Sequence, residues 1–475
     1  MKKVVIIGGG IAGLSAGIFA QKNGFETTIL EKHHTLGGEC TGWDRQGYHI
    51  DGCIHWLVGT KEGTPISDLW TTVGALDDID IHHHESFLTY EHGDTQVHFY
   101  RDLDRLKSSW LELSPEDKEA IEDFCSTIKQ LQSFEIPVGK PMDMMNFVEK
   151  IKLMMSMKDA GMVMKKYGKV SLTKYAKAFK HPALRGALVS FLPESYSASS
   201  VFFALATFTK GQASVPAGGS KALAMRMQER YLSLGGTIET RCEAVDLEIH
   251  GNKVQGVTCS NGKTFEADHF IAACDAHFFF ERLLKGKYPD RKFQKRFDNP
   301  EDYPVASEVR VSIGYEGTTG ELPRTLRFPV AAPFKINETT IDSLQVTNYD
   351  YEPSFAPEGH TLLSCSINQF HSDYDAWDAL AKVKEAYVQE KARIGQEVLR
   401  AMETRFPQMK GKLKVLDVAT PKTFERYCNS YRGAIVGFVP TIRGKSMSHS
   451  GRVKGLKNIQ LSGQWLHGTG GCLRH

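Results

Sequence analysis

A glycine pattern near the N-terminus is the clearest sign of chemistry in this sequence. The apolar run Val4–Ile7 leads directly into G-x-G-x-x-G spacing. In such a segment Gly8 permits a tight turn, Gly10 lets the backbone approach a pyrophosphate, and Gly13 lets a helix pack against the strand. The free N–H groups at the start of that helix, from Ile11 onward, would bind the phosphates. The spacing therefore predicts a dinucleotide-binding site.

The surrounding residues supply the elements that this site requires. The β-branched run before the glycines suits a buried parallel strand, and residues 11–23 have the pattern of a helix that Gly24 ends. Residues 25–30 predict a second strand, and Glu31 at its tip can accept both hydroxyl groups of an adenosine ribose. The alternative is a glycine-rich turn in an ordinary βαβ unit. Gly17 departs from the pattern, because alanine would cost the helix less.

The bulk composition is that of an ordinary globular protein. The 475 residues carry 58 lysines and arginines against 56 aspartates and glutamates, a net charge of +2, which gives no case for a nucleic-acid partner. Nine cysteines without a C-x-x-C pair predict a reducing compartment, no disulfide framework and no metal site. No apolar run reaches transmembrane length, and no signal-peptide cleavage site stands out. We therefore expect a cytoplasmic protein, and the oligomeric state stays open.

A paired glycine and a hairpin beyond Glu31 connect the sequence to a known family. Gly37 and Gly38 follow the predicted ribose acid, and residues 47–52 read G-Y-H-I-D-G. In this combination the sequence resembles the flavoproteins that include amine oxidases, phytoene desaturases, carotenoid isomerases and retinol saturases. The resemblance implies FAD as the cofactor. Many members carry arginine or lysine after the paired glycine, where this sequence has Glu39, so a cation is missing from the neighbourhood of the flavin.

Two later segments extend the resemblance. Residues 215–236 show a P-x-G-G turn, a helix and a closing pair of glycines, and they lead into a strand where the backbone of Val245 would meet the adenine. Residues 458–471 predict a strand that ends at Gly463, followed by a glycine-rich loop. In the family such a loop leads into a final helix at the flavin; the sequence ends at His475, where that helix would begin, which leaves a natural end and a truncation open. The fingerprint and the resemblance together imply these FAD-binding residues: Gly8, Gly10, Ile11, Ala12, Gly13, Glu31, Lys32, Gly37, Gly38, Val245, Gly463, Gly470 and Gly471.

The expected fold class is α/β, with a discontinuous Rossmann-like FAD-binding domain and an inserted substrate domain, or cap, of helices and mixed sheet. The FAD-binding domain would comprise residues 1–70, 212–280 and 415–475. The cap would comprise residues 71–211 and 281–414. Within the cap, the pattern of residues 377–405 predicts one long helix.

A methionine-rich segment stands out in the cap. Residues 142–164 hold eight of the fourteen methionines, and their apolar side chains share one helical face. Residues 150–180 add nine lysines against a single acid. The apolar face could fill the core of the cap, which is our first expectation, or contact a membrane surface through residues 142–180, or form the wall of a substrate tunnel. The aromatic runs at residues 202–203 and 278–280 have the same alternatives.

Three residues are candidates for proton transfer. His55 follows the hairpin that the family places near the flavin, Glu39 follows the paired glycine, and His467 lies in the C-terminal glycine-rich loop. Each has a structural alternative, such as a buried, hydrogen-bonded histidine or a carboxylate that caps local backbone. The run His82–His84 suggests a metal site, but alternation along a strand favours an exposed, solvated run. Cys40 lacks the C-x-x-x-x-C partner of a disulfide reductase.

The resemblance implies an FAD-dependent oxidoreductase that acts on carbon–carbon bonds. Desaturation, saturation and cis/trans isomerisation of a hydrophobic polyene or lipid need the same flavin and the same apolar cavity, so the three reactions stay open. Because the sequence has one dinucleotide fingerprint, electrons would leave to oxygen, a quinone or another small acceptor, or return to the product. The alternatives are a flavin-dependent amine oxidase and a non-catalytic FAD-binding protein.

Overall fold

The computed structural model describes residues 1–136, 138, 145–193, 196–320, 322–439 and 441–467. The helices in this part of the chain are α1 (Ile11–Lys22), α2 (Pro65–Thr72), α3 (Leu103–Leu113), α4 (Lys118–Leu131), α5 (Phe147–Ser156), α6 (Lys158–Tyr167), α7 (Leu172–Ala176), α8 (Pro182–Phe191), α9 (Ala198–Thr209), α10 (Gly219–Ser233), α11 (Arg291–Phe297), α12 (His371–Ala381), α13 (Lys384–Arg405) and α14 (Pro421–Cys428). The strands are β1 (Lys3–Ile7), β2 (Glu26–Leu30), β3 (Gly42–Arg45), β4 (Tyr48–Asp51), β5 (Leu57–Val58), β6 (Ile81–His82), β7 (Ser86–His92), β8 (Thr95–Tyr100), β9 (Ala213–Pro216), β10 (Thr237–Glu239), β11 (Ala244–His250), β12 (Lys253–Cys259), β13 (Thr264–Glu266), β14 (His269–Ala272), β15 (Ser307–Tyr315), β16 (Thr325–Ile336), β17 (Thr339–Asn348), β18 (Thr361–Gln369), β19 (Leu413–Ala419) and β20 (Ile459–Leu461).

A five-stranded sheet in the order β10-β2-β1-β14-β20 forms the core of the nucleotide-binding lobe, and all of its strands are parallel. The four apolar residues Val4–Ile7 make β1 a central strand, because they are buried on both faces. The carboxyl ends of the strands lie at one edge, which is where open α/β sheets bind ligands. α1 connects β1 to β2 and packs against α10. This arrangement confirms the expected α/β class and its Rossmann-like lobe.

Gly17 lies where Tyr231 of α10 crosses α1. A Cβ atom added at Gly17 would come 2.6 Å from Cε2 of Tyr231, which is closer than carbon atoms pack. Tyr231 is held in place, because its hydroxyl oxygen lies 2.7 Å from the hydroxyl oxygen of Thr27 and 3.0 Å from the Thr27 carbonyl oxygen. The departure from helix propensity at this position therefore has a packing reason.

Gly17→Ala should destabilise the fold, although alanine is the better helix former. Helix propensity favours alanine by roughly 1 kcal/mol, whereas overpacking costs about 1–3 kcal/mol, so the expected net loss is up to about 2 kcal/mol. Gly161→Ala in α6 is the matched control, because no atom lies within 4 Å of its added Cβ, and it should stabilise the protein. Urea unfolding measures the sign of the stability change in each variant, and a Gly17→Ala protein more stable than the wild type would contradict the packing reason.

A seven-stranded mixed sheet in the order β19-β15-β18-β17-β16-β7-β8 organises the second lobe. Neighbouring strands are antiparallel, except that β16 and β7 pair in parallel. β15 is buried along its whole length, and α13 packs on the sheet through Ile394, Val398 and Met402. The expected domain boundary at residue 415 falls inside β19. The domain limits otherwise stay a prediction.

The prediction of one helix over residues 377–405 is wrong, because the chain breaks between α12 and α13. Val383 is extended there, with φ −116° and ψ 95°. α12 is anchored by Trp377, which is fully buried and donates from its indole Nε1 to Oε1 of Gln369 at 2.8 Å. Trp377 belongs to the same apolar core as the buried residues of α13, and its ring lies 6.1 Å from the ring of Tyr387 in α13. The break lets the two helices pack against each other on this core, which one continuous helix could not do.

Most of the phenylalanines in the two aromatic runs are buried in apolar cores. α3, α4 and α6 to α9 pack around Trp110, Phe124 and Phe202, which are almost completely buried. Phe279 and Phe280 are buried in the core that lies against β14. Phe202, Phe279 and Phe280 of the aromatic runs therefore pack in cores, as the core-packing alternative predicts.

The core-packing expectation is wrong for α5. This helix has no buried residue, and Phe147, Met154 and Met155 are 77%, 68% and 70% exposed. α6 follows after a break and is attached to the cap by buried residues such as Val163. Residues 142–144 of the methionine-rich segment lie outside the described residues. Within the described part of the chain, no helix combines the length and the apolarity needed to cross a membrane.

Candidate functional site

The glycines of the fingerprint are required for different reasons. Gly8 has a φ of +105°, and a Cβ on it would lie 2.6 Å from the carbonyl oxygen of Ala273. A Cβ on Gly13 would lie 1.9 Å from the carbonyl oxygen of Gly8, so only glycine lets α1 lie against β1. At Gly10 the nearest atom to an added Cβ is 3.7 Å away, and φ is −72°. Protein packing therefore does not require glycine at residue 10, which fits a ligand that approaches the backbone there.

The first turn of α1 is open to an external acceptor. Gly10 caps the helix without a side chain, and the first turn carries no acidic residue. The N–H groups of this turn lack helical partners, and the helix dipole favours a negative group beside them. Gly463, with φ +120° just beyond β20, faces the same turn, since a Cβ added to it would lie 3.6 Å from Cβ of Ala12. These residues fit a pyrophosphate.

Glu31 is buried at the end of β2 and holds the glycine turn in place. One carboxylate oxygen accepts from the N–H of Gly9 and the other from the N–H of His33, both at 2.8 Å. Burial raises the pKa of Glu31, and these N–H groups oppose the rise. Each oxygen keeps a lone pair that a ribose hydroxyl can use. The N–H of Gly37 donates to the Gly9 carbonyl at 2.9 Å, which brings Gly37 and Gly38 to the same turn.

Val245 and Lys32 flank this acid. Val245 is 45% exposed and lies at a register shift of the β11–β12 ladder, so its backbone is left out of the regular pairing. The N–H of Cys242 donates to the carbonyl of Glu31 at 2.8 Å, which places the start of β11 beside Glu31. The ammonium group of Lys32 donates to Oδ1 of Asn429 at 2.5 Å. The roles of Val245 and Lys32 toward FAD stay predictions.

Glu39 belongs to a rim of polar groups at the carboxyl ends of the parallel strands. Nε2 of Gln464 lies 3.4 Å from Oε2 of Glu39, and Ser430 lies beside the same carboxyl group. Asp275, which follows β14, accepts from the N–H of Tyr431 at 3.0 Å and so fixes the segment that carries Ser430. Burial raises the pKa of Glu39 to about 8; Gln464 and Ser430 oppose this rise, and the charge of Asp275 adds to it. Glu39 therefore holds a proton at neutral pH.

A buried hydroxyl group at this edge of the sheet has no hydrogen-bond partner among the described residues. It belongs to Ser462, which is 6% exposed. A buried polar group without a partner costs about 1–3 kcal/mol, so a polar ligand along this edge would satisfy it. Together with the open turn of α1, this hydroxyl group fits the binding of FAD.

The raised pKa of Glu39 predicts how the stability of the apoprotein depends on pH. Between its ordinary pKa of 4.5 and a pH of about 8, Glu39 is ionised in the unfolded chain and protonated in the folded protein. The unfolded state binds fewer protons in this window, so the free energy of unfolding should fall as the pH rises through it. Glu39→Gln should remove this part of the fall. Urea unfolding of both apoproteins at the two ends of the window measures the difference, and an identical pH dependence would contradict the assignment.

His55 lies in a buried, charged cluster behind the hairpin formed by β3 and β4. Arg310 and Glu308, each 2% exposed, form an ion pair at 2.7 Å on β15. Nη1 of Arg310 donates to the carbonyl of Asp51 at 2.8 Å, and its Nη2 lies 3.5 Å from Nε2 of His55. Burial, reinforced by Arg310, lowers the pKa of His55 to about 4. At neutral pH the imidazole of His55 is therefore uncharged.

The other residues predicted for the site lie near the end of the described chain. His467 pairs with Ser448 in an isolated β-bridge, three residues beyond Gln464. Its contact with flavin or substrate stays a prediction. Gly470 and Gly471 lie outside the described residues.

Of the run His82–His84, only His83 is exposed as a solvated run predicts, whereas His82 and His84 are half-buried. Nε2 of His82 lies 3.2 Å from Oε2 of Glu352, and Nδ1 of His83 lies 2.8 Å from the hydroxyl oxygen of Ser214. These two histidines thus contact different neighbours. The described residues contain no cluster of three or more His, Cys, Asp or Glu side chains that could hold a metal ion.

Several site residues are missed by sequence reasoning. Asp275 follows β14 as Glu31 follows β2, so its position at a strand end is a usable signal. Glu308 and Arg310 are two residues apart in a strand without other charged residues and therefore share one face, which is a second signal. Gln464 carries no such local signal, because only the fold brings it to Glu39.

The comparison with known families decides the class of this site. The family described as flavin containing amine oxidoreductase matches residues 11–474 of the chain. The chain belongs to this family. As a flavin containing amine oxidoreductase it is an FAD-dependent oxidoreductase, which confirms the cofactor and the enzyme class expected from the sequence.

Individual relatives cover nearly the whole chain. The phytoene desaturase (lycopene-forming) of Pseudescherichia vulneris is 22% identical over 490 residues, which cover 98% of this chain and 95% of that protein. The chloroplastic prolycopene isomerase of Daucus carota is 21% identical over 473 residues, which cover 89% of this chain and 70% of that protein. An oxidoreductase structure from Methanosarcina mazei has a TM-score of 0.60 at 16% identity and covers 99% of this chain and 96% of its own. These findings confirm the expected resemblance, and the structural likeness shows a shared fold.

Proposed function

We propose that this flavin containing amine oxidoreductase desaturates, saturates or isomerises carbon–carbon double bonds in an apolar polyene or lipid. The observation that carries the proposal is the extent of the likeness to the phytoene desaturase, which runs through both lobes over 98% of the chain. A likeness confined to the nucleotide-binding lobe would support cofactor binding alone.

The residues around the sheet edge suit such chemistry. FAD, when bound, supplies the transfer of a hydride or an electron pair. The chain itself would hold the proton: Glu39 is protonated at neutral pH and is oriented by Gln464. His55 is uncharged, so it would contribute hydrogen bonding without a positive charge. The buried pair of Arg310 and Glu308 would hold His55 in place, because Arg310 contacts both His55 and the end of β4.

Product analysis tests the proposed reaction. The holoenzyme is incubated with a mixed polyene and lipid extract, with oxygen or a quinone as electron acceptor in one set of reactions and with dithionite as electron donor in another. Loss or gain of two hydrogen atoms in a polyene identifies desaturation or saturation, and a changed retention at constant mass identifies isomerisation. Turnover of amines with release of peroxide, and no change in any polyene, would replace the proposal by an amine oxidase.

We also propose that α5 and α6 dock on an anionic membrane surface from which an apolar substrate is taken up. The support is the exposure of Phe147, Met154 and Met155 on a helix without any buried residue. Exposed lysines, among them Lys150 and Lys152, surround these side chains. An apolar helix face bordered by cations has the chemistry of a helix that lies in the headgroup region of an anionic bilayer.

Substitution of the three exposed apolar residues tests this docking. Phe147→Ser, Met154→Ser and Met155→Ser together should weaken binding to phosphatidylserine-containing vesicles at least about tenfold, since burial of one such side chain contributes about 1.5–3 kcal/mol. Val383→Ser with Val388→Ser is the control, because both valines are 55% exposed at the start of α13 and not on α5 or α6. Vesicle co-sedimentation measures the binding. Equal binding by the two variants would contradict the proposed surface.

A further inference from the structure

A cleft of about 290 Å³ lies in the cap between the β7–β8 hairpin, α3 and the segment that precedes β16. Side chains with nitrogen or hydroxyl groups form part of its lining, namely His84, Ser86, Thr89, His98, Arg105 and Arg324. Among the described residues that line it, Glu85 alone has a carboxylate. That side chain is 80% exposed and is paired with Arg105 at 3.0 Å. The cleft thus has more cationic than anionic groups.

Arg324 is the group in the cleft that most needs an anion. Its Nη2 donates to the carbonyl of His55, and its Nε is buried without a hydrogen-bond partner. No carboxylate of the described residues forms an ion pair with Arg324 or with its neighbour Arg101. Arg101 is bonded to carbonyl groups instead, including that of His84 at 2.8 Å. Burial and the charge of Arg324 lower the pKa of Arg101 to about 10. Two guanidinium groups therefore share a partly buried region without a countercharge, which is costly unless an anion pairs with them.

The imidazole of His84 adds a donor to the same cleft. Its Nε2 is buried and has no partner among the described residues. Burial and the nearby Arg324 lower the pKa of His84 to about 2, so the ring is neutral. A neutral imidazole can donate one N–H hydrogen bond without adding to the positive charge. Oxygen atoms that carry negative charge would match both this donor and the guanidinium group.

We propose that this cleft binds a carboxylate or phosphate group, as the polar end of an apolar substrate or product. The inference that this ligand has an apolar part rests on the proposed function, whereas the inference of an anion site rests on the cleft alone. Arg324 connects the cleft with the segment that holds His55, because it lines the cleft and also donates to the carbonyl of His55. An anion bound by Arg324 would therefore lie beside the segment that follows the β3–β4 hairpin, which the family resemblance places near the flavin. The cleft would thus fix which end of an amphiphilic molecule faces away from the flavin.

Calorimetric titration of the holoenzyme tests the anion site with defined probes. Octanoate, 1-octanol and inorganic phosphate are titrated at constant ionic strength into the wild type, Arg324→Gln and Arg105→Gln. Lys107→Gln is the matched control, because Lys107 is on α3 two residues after Arg105 but does not line the cleft. Its ammonium group pairs with Glu122 at 3.3 Å. Octanoate should bind at least about tenfold more tightly than 1-octanol, as a charge-assisted hydrogen bond predicts. Both arginine variants should remove this preference, and Lys107→Gln should keep it.

The results distinguish two kinds of anion, and they test the anion site independently of the proposed reaction. Arginine-dependent binding of octanoate but not of phosphate identifies the headgroup of an amphiphile, and arginine-dependent binding of phosphate as well identifies a site for small free oxyanions. Equal affinities of all four proteins for octanoate and phosphate would overturn the anion site. The flavin spectrum of every variant is recorded in parallel, so a loss of FAD or of folding is not mistaken for a loss of the cleft. If octanoate binds and no polyene is converted, the proposed reaction fails and the anion site stands.

Discussion

Gly10→Val should abolish FAD binding while the apoprotein still folds. The protein tolerates a side chain here, because φ is −72° and the nearest atom to an added Cβ lies 3.7 Å away. A ligand on the first turn of α1 would be pushed off, which removes charge-assisted hydrogen bonds of about 1.5–3 kcal/mol each. The loss of two such bonds predicts a fall in FAD affinity of at least about 100-fold. The change of N-cap residue should cost the apoprotein only about 1 kcal/mol.

Gly13→Ala provides the contrast. Its Cβ would lie 1.9 Å from the carbonyl oxygen of Gly8, so this variant should lose stability as well as FAD. Fluorescence titration of the two apoproteins with FAD, together with their urea unfolding curves, separates the effects. Normal FAD affinity in Gly10→Val would show that the first turn of α1 does not hold the pyrophosphate.

Arg310→Met should lower the free energy of unfolding by about 3–5 kcal/mol, because it leaves the buried carboxylate of Glu308 without its partner. The variant also loses the hydrogen bond at 2.8 Å to the carbonyl of Asp51. The surroundings favour the charged guanidinium strongly, since the charge of Glu308 outweighs the effect of burial and raises the pKa of Arg310. Urea unfolding at neutral pH measures the loss.

A double variant distinguishes the ion pair from simple packing. Arg310→Met combined with Glu308→Gln removes both charges, so it should recover a large part of the lost stability. Ser312→Ala, on the same face of β15 and without a partner for its hydroxyl group, is the control and should change stability little. A double variant as unstable as Arg310→Met alone would show that the unpaired carboxylate is not the cause.

The nucleotide-binding lobe could be predicted because its signals are local. The turn at Gly8 and the close contact at Gly13 depend on residues a few positions apart, and the geometry of the glycine turn allows few other residue types. Glu31 follows from the same short segment, as its carboxylate bonds with the N–H groups of Gly9 and His33. Local spacing of this kind is sufficient to predict a strand, a turn and a helix.

The rest of the site depends on contacts between distant segments. Glu39 could be selected by its place after Gly38, but its raised pKa comes from burial among groups such as Asp275 and Gln464 that only the fold brings near. Trp377 and Val383 show the same limit for secondary structure. Helical periodicity continues across residues 382–383, whereas the packing of α12 against α13 requires a break there. The exposure of α5 follows neither from its apolar composition nor from its spacing, since a buried helix has the same pattern.

An anaerobic absorbance spectrum of the purified protein decides whether a flavin in this chain acts on an apolar substrate. The spectrum is recorded before and after dithionite, and the mixed polyene and lipid extract is then added to the oxidised and to the reduced protein. We predict a flavin spectrum that dithionite bleaches, and an extract that reduces the oxidised flavin, reoxidises the reduced flavin, or changes its own polyene absorption only in the presence of the protein. No flavin after incubation with FAD, or a flavin that responds to dithionite while the extract changes neither the flavin nor the polyenes, would contradict the proposed function.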